Sequence, residues 1–114
     1  GARPRTATAA LKDLDNEQRL RAKRLQRDAI DRALTELTAY QRDVLTLQTG
    51  AGVPLINDDL TAEITRAAQR SSPESTLWRI DAILACREAL EGNVAPLLAV
   101  EAMMIGLKGD DRAR

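Results

Sequence analysis

The stretch SSPESTLWRIDAILACREALEGNVAPLLAVEAMMIGLK, residues 71–108, decides how the chain is read, because it spells out two helices together with their starts and stops. Ser72 stands before Pro73. A serine oxygen can accept from the orphan N–H groups of a first turn, and proline at the first helical position gives up an N–H that has no helical partner. Leu77, Ile80, Ile83, Leu84 and Leu90 then stand three, four or seven residues from a neighbour in the set, the spacings of one helical face. Glu91-Gly92-Asn93 splits the stretch, with glycine able to close one helix in the left-handed conformation and asparagine able to cap the next. Leu97, Val100, Met104 and Leu107 form a second stripe, widened by Val94, Leu98 and Ile105, and Pro96 falls in its first turn. This register predicts Leu97 and Ile80 buried between the two helices. Glu101 interrupts it, on the edge of the face that should be covered.

Upstream, Thr49-Gly50-Ala51-Gly52 is a helix stop, and Val53-Pro54-Leu55-Ile56 an extended link whose Leu55 and Ile56 would close the end of a bundle. Asn57 or Asp58 would cap a short helix with an acidic first turn, its Leu60, Ile64, Ala67 and Ala68 facing inward. From Asp13 to Gln48 the chain has no Gly and no Pro, and at 1.5 Å per residue such a helix would reach roughly 50 Å. Its first part, DNEQRLRAKRLQRD, is charged on most sides; its second has Ile30, Ala33, Leu37, Tyr40, Val44 and Leu47 at heptad spacing. Residues 1–10 and 109–114 lack large apolar side chains and read as tails that need not fold. The expectation is an all-α bundle of about four helices with a long, basic N-terminal helix, its domain spanning residues 11–108.

Composition narrows the function. The 114 residues include no His, no Phe, one Trp, one Tyr and one Cys. Without His, the commonest general base and metal ligand is missing. A single Cys86 builds neither a disulfide nor a thiolate metal site, which fits a reducing, cytoplasmic setting. Gly106-Leu107-Lys108-Gly109 lacks the spacing of a phosphate-binding loop. No catalytic residue, cofactor or metal is expected, and no apolar run nears the ~20 residues that span a bilayer. Charge is balanced overall but divided: residues 1–32 carry nine Lys and Arg against five Asp and Glu, and residues 33–114 eight against twelve. The start at Gly1 rather than Met points to a piece of a longer chain.

Asn93, the Leu97-Leu98 pair, the embedded Glu101 and the closing Leu107 resemble the last helix of the clamp-loader subunits of bacterial DNA polymerase III. Arg42–Leu45 (RDVL) and Ser75–Leu90 (STLWRIDAILACREAL) are similar to the same domain, and the likeness extends from about Arg24 to Lys108. With its long basic entry helix, the chain looks closest to the delta-prime subunit of actinobacteria. The resemblance implies a C-terminal collar domain, by which the loader's subunits join into a ring around the task of loading the sliding clamp in DNA replication. It implies other clamp-loader subunits as partners and no ATP binding by this piece, since the ATPase-like fold of such subunits precedes the collar.

Three features admit a sharp and a plain reading. The basic run Arg19–Arg32 could follow a phosphate backbone; Asp28 and Asp31 within it and the lack of interleaved aromatics favour a solvated helix face, so DNA contact is not expected. Glu101 either pairs with Arg87 as a buried ion pair or lies exposed on the stripe's edge. Trp78 stands over Ala82, Ala85 and Ala89, a second face that with Ala102 and Met103 makes a candidate interface for a neighbouring subunit or a second copy; burial within the bundle is the plain alternative. Two other functions remain. One is a small all-α enzyme of chorismate-mutase type, drafting Arg42, Arg79, Arg87 and Glu101 to clamp a dicarboxylate. The other is a free-standing helical homo-oligomerisation module.

Overall fold

The computed structural model describes the backbone of residues 2–112 and the side chains of residues 6–108. Among the described residues there are four α-helices and no strand: α1 (Ala2–Thr49), α2 (Thr61–Arg70), α3 (Pro73–Glu91) and α4 (Pro96–Arg112). A single 3-10 turn, Asp58–Leu60, leads into α2. The expected all-α bundle is what forms.

Two compact units divide the chain, residues 1–32 and 33–114, and the division falls within α1. In the first unit every described side chain from Thr6 to Ala29 is exposed, Leu11, Leu14, Leu20 and Leu25 among them. Local bonds hold this part helical, such as the exposed pair Arg19–Asp15 at 3.1 Å, one turn apart. The backbone is helical from Ala2, where composition suggested a tail, because Pro4 lies in the first turn and costs no helical bond there. At the other end α4 continues to Arg112 through the stretch also read as a tail.

The second unit holds the core. Leu34 and Val44 on α1, Ile64 on α2, Ile83 and Cys86 on α3, and Ala99 and Met103 on α4 are its buried apolar side chains. On α1 Leu34, Asp43 and Val44 are buried and Leu37, Tyr40, Gln41 and Gln48 half-buried, while Leu47, placed on the inward heptad by sequence, is exposed. α1 stops in the way its glycines foretell. Gly50 sits at φ +64°, its N–H donating to Leu47 O and that of Ala51 to Thr46 O, the paired bonds of a left-handed helix close. Ser72 caps α3 reciprocally with Ser75, and Pro73 occupies the first helical position. Gly92 differs from expectation: it is extended at φ −86° and uses its N–H to close the last turn on Glu88 and Ala89. Nor does Asn93 cap α4, which begins at Pro96 with Ala95 O accepting the first bond, from Ala99 N.

Two polar residues of α1, the buried Asp43 and the half-buried Gln48, tie the connections down. Asp43 accepts from the backbone N–H of Ile56 and of Asn57, both at 2.8 Å, and from the Asn57 side-chain amide at 3.0 Å. Asn57 is therefore spent on Asp43 and caps nothing with its side chain. One turn further on, Gln48 donates to Ala68 O and Ser71 Oγ and accepts from Thr76 Oγ1 at 2.7 Å. It thereby bridges the end of α2 and the start of α3. Leu55 is half-buried beneath this link, whereas Ile56 faces water.

Candidate assembly surface

The helix α4 carries apolar residues on two opposite sides. On one side Ala99 and Met103 are buried and Pro96, Val100 and Leu107 half-buried. This side meets α3, and the two helices share the most extensive backbone-to-backbone contact among the described elements. Small residues permit the approach: a Cβ placed on Gly106 would lie 3.3 Å from Ala82 Cβ. On the other side Leu97 (65% exposed), Leu98, Met104 and Ile105 (70% exposed) stand in water around Glu101.

Several sequence expectations change here. Leu97 is not packed against Ile80, and Met103, placed outward by sequence, is only 5% exposed and belongs to the core. Both stripes of α4 satisfy a three-four spacing, so periodicity cannot choose between them. Packing chooses the side with Ala99 and Gly106, because small residues let two backbones come close and the bulkier Leu, Met and Ile side chains are left outside. Glu101 is exposed, and Arg87 Nη2 donates to Thr35 Oγ1 at 2.7 Å.

On α3 the inward positions are Thr76, Ile83 and Cys86, with Ile80 and Leu90 half-buried. Leu77 and Leu84, assigned inward by sequence, are exposed, as is Trp78 at 58%. Among the remaining candidate interface residues, Ala85 and Ala102 are exposed and Ala82 and Ala89 half-buried, Ala82 because Gly106 lies against it.

The titratable groups of the core are structural. Burial by itself would raise the Asp43 carboxyl, but the N–H groups of Ile56 and Asn57, the Asn57 amide and nearby Arg42 outweigh it and hold the group below its ordinary value. Asp43 stays ionised as a clasp. Burial raises the Cys86 thiol despite Arg87 beside it, leaving little thiolate to react. Burial also raises the Tyr40 phenol, helped by the charge of Glu63 and opposed by Arg66. Sequence reasoning missed both Asp43 and Gln48. A lone acid or amide on a long polar helix carries no spacing signal, and only the loop's need for acceptors could have pointed to them.

A cleft of about 270 Å³ between α1, α2 and α3 is lined by Tyr40, Gln41, Val44, Arg70 and Arg79 among others, and Arg42, Arg87 and Glu101 are not in its lining. Of the four residues drafted for a dicarboxylate clamp, this cleft takes in Arg79 alone. Among the described residues no group of three or more His, Cys, Asp or Glu could hold a metal ion. No helix among them is long and apolar enough to cross a membrane. The basic run Arg19–Arg32 is exposed except for half-buried Ile30.

Leu77, Trp78 and Leu84 on α3 and Leu97, Leu98, Met104 and Ile105 on α4 thus face solvent on a domain whose core is already filled. Residues 12–108 fit the family described as DNA polymerase III, delta subunit, C terminal, and the chain belongs to it. This is a clamp-loader family whose domain is not in itself catalytic. No individual curated protein and no solved structure matches the chain.

Proposed function

We propose that this chain is the collar domain of a DNA polymerase III clamp-loader subunit, which assembles with sister subunits by helix packing and so supports sliding-clamp loading in replication. The observation that carries the reading is the outer side of α4, where Leu97, Leu98, Met104 and Ile105 stay in water on a helix whose opposite side is already packed. Trp78 and Ala85 on α3 and Ala102 on α4 extend the candidate interface. The mechanism is positional. Tying several ATPase modules to one ring turns their encounters into intramolecular ones and raises their effective concentration, so neighbouring ATP sites act together on the clamp. The order of motifs and the long basic entry helix support delta-prime as the particular subunit, in a cytoplasmic complex; the family description names delta.

The test is assembly. The chain, mixed with the other loader subunits of its organism, should co-elute with them on size exclusion, and Ile105→Glu should abolish co-elution while helical ellipticity and melting stay unchanged. Recovery with the subunits that flank delta-prime, or with those that flank delta, decides between the two. A wild-type chain that joins none of them would overturn the proposal.

A further inference from the structure

Between Leu97 and Ile105 the exposed stripe of α4 is symmetric about its one charged residue. Lys108 follows one heptad later on the same side, and the staggered antiparallel register that would set it against Glu101 leaves Leu97 and Leu98 opposite the polar end of the helix rather than against apolar partners. Leu97 and Leu98 lie four and three positions before Glu101, and Met104 and Ile105 three and four positions after it, so Glu101 sits at the centre of the stripe both along the helix and around it. In any dimer with a two-fold axis, a residue that contacts position j of its partner has j contacting it in return. Two copies joined antiparallel through this stripe would set Leu97 against Ile105 and Leu98 against Met104, which is good apolar packing. The same arrangement brings the two Glu101 carboxylates face to face in a patch that is being dried. A parallel pair in register does so as well. Like charges in such a position act against that partner, and specificity is often built from a repulsive element of this kind.

From this we infer that the α4 stripe is designed against its own copy and takes a helix of a different chain, one whose apolar face carries an arginine or lysine opposite Glu101. Arginine suits the position better, because its planar fork meets a carboxylate with two parallel bonds. The charge of the packed unit points the same way, since residues 33–114 hold eight Lys and Arg against twelve Asp and Glu, and a basic partner is drawn to that excess. The inference rests on the collar reading above and supplies what that reading lacks, the chemistry of the partner helix.

A partner of that chemistry can be made from the chain itself. Glu101→Arg places an arginine at the centre of an otherwise identical stripe, on an exposed position where the fold is not at stake. In sedimentation velocity at high micromolar concentration the wild type should remain monomeric, and so should Glu101→Arg, each repelling its copy. An equimolar mixture should form a one-to-one dimer that salt weakens and that Ile105→Glu in either component abolishes. Glu101→Leu should dimerise alone. A wild type that dimerises through the stripe, shown by loss of the dimer in Ile105→Glu, would overturn the inference, as would a mixture that stays monomeric. A parallel arm uses the loader subunits. If they bind the wild type, Glu101→Arg should weaken binding by roughly tenfold or more. Equal binding of wild type and Glu101→Arg, with loss in Ile105→Glu, would remove the charge rule and leave the collar reading intact. Failure of the wild type to bind any loader subunit removes the collar reading, while the mixing result still decides the charge rule.

Discussion

Replacing Asp43 by asparagine keeps the shape of the side chain and exchanges one acceptor oxygen for an NH2 group. Asp43 is 1% exposed and accepts from three donors. In Asp43→Asn at least one of those donors faces another donor, and a buried N–H left unpaired costs about 1–3 kcal/mol. The remaining bonds lose their ionic component, since hydrogen bonds to charged groups contribute about 1.5–3 kcal/mol against about 0.5–1.5 for neutral ones. The expected loss is therefore about 2–4 kcal/mol, a large part of the ~5–15 kcal/mol typical of a domain. With a urea dependence of about 1–3 kcal/mol per molar, the midpoint of the ellipticity transition should fall by roughly 1–2 M. Acid provides an independent check. The folded carboxyl lies below its unfolded value, so its contribution is fully present above about pH 4 and is lost as pH falls through the folded value. The gap between wild type and Asp43→Asn should be widest at neutral pH and should close in acid. A midpoint shift too small to measure, or a gap that does not change with pH, would show that the clasp does not hold the 51–57 link.

Other substitutions separate the two sides of α4 and the interior from the surface. Met103→Ala should cost ~2–5 kcal/mol in urea unfolding, as large-to-small core changes do, whereas Leu97→Ala, at a solvent-facing site, should stay within about 0.5 kcal/mol. Gly106→Val pushes a branched side chain into the close contact with Ala82, and a loss of about 1–3 kcal/mol with separation of α3 and α4 is expected from thermal melts. Gln48→Leu leaves Ser71, Thr76 and Ala68 O without their shared partner and should lower the melting temperature by roughly 5–15 °C, following a loss of about 1–2 kcal/mol. Trp78→Asp should leave ellipticity and melting unchanged and reduce co-elution with the loader subunits; collapse of the fold would move Trp78 into the core.

The parts of the fold that were legible in the sequence are those set by local chemistry. Ser72-Pro73 starts α3, Gly50 closes α1, and the absence of Gly and Pro between Asp13 and Gln48 keeps one helix intact. What was not legible is which side of a helix meets which neighbour. On α3 and α4 the apolar residues outnumber the positions the core can hold, so Leu77, Leu84, Leu97 and Met104 fit a stripe that the packing leaves outside. Of the expected α3 stripe Ile83 is fully buried, and the interior is completed by Cys86, Ala99 and Met103, chosen by how closely two backbones can come. That surplus of apolar residues is itself the mark of the candidate surface. The polar interior escaped notice for the opposite reason: Asp43, Gln48 and Thr76 act across distances in sequence that no short pattern spans.

The single tryptophan has a practical meaning. With no Phe and one Tyr in the chain, the indole of Trp78 dominates its ultraviolet emission, and more than half of that side chain lies in water. Its spectrum in the isolated chain is therefore that of a solvated indole, red-shifted and open to collisional quenching by iodide. Any neighbour that dries it shifts the emission to the blue and shields it from quencher. The molecule thus carries its own optical gauge for contact at α3, readable in real time without a label, a tag or a change to a single residue.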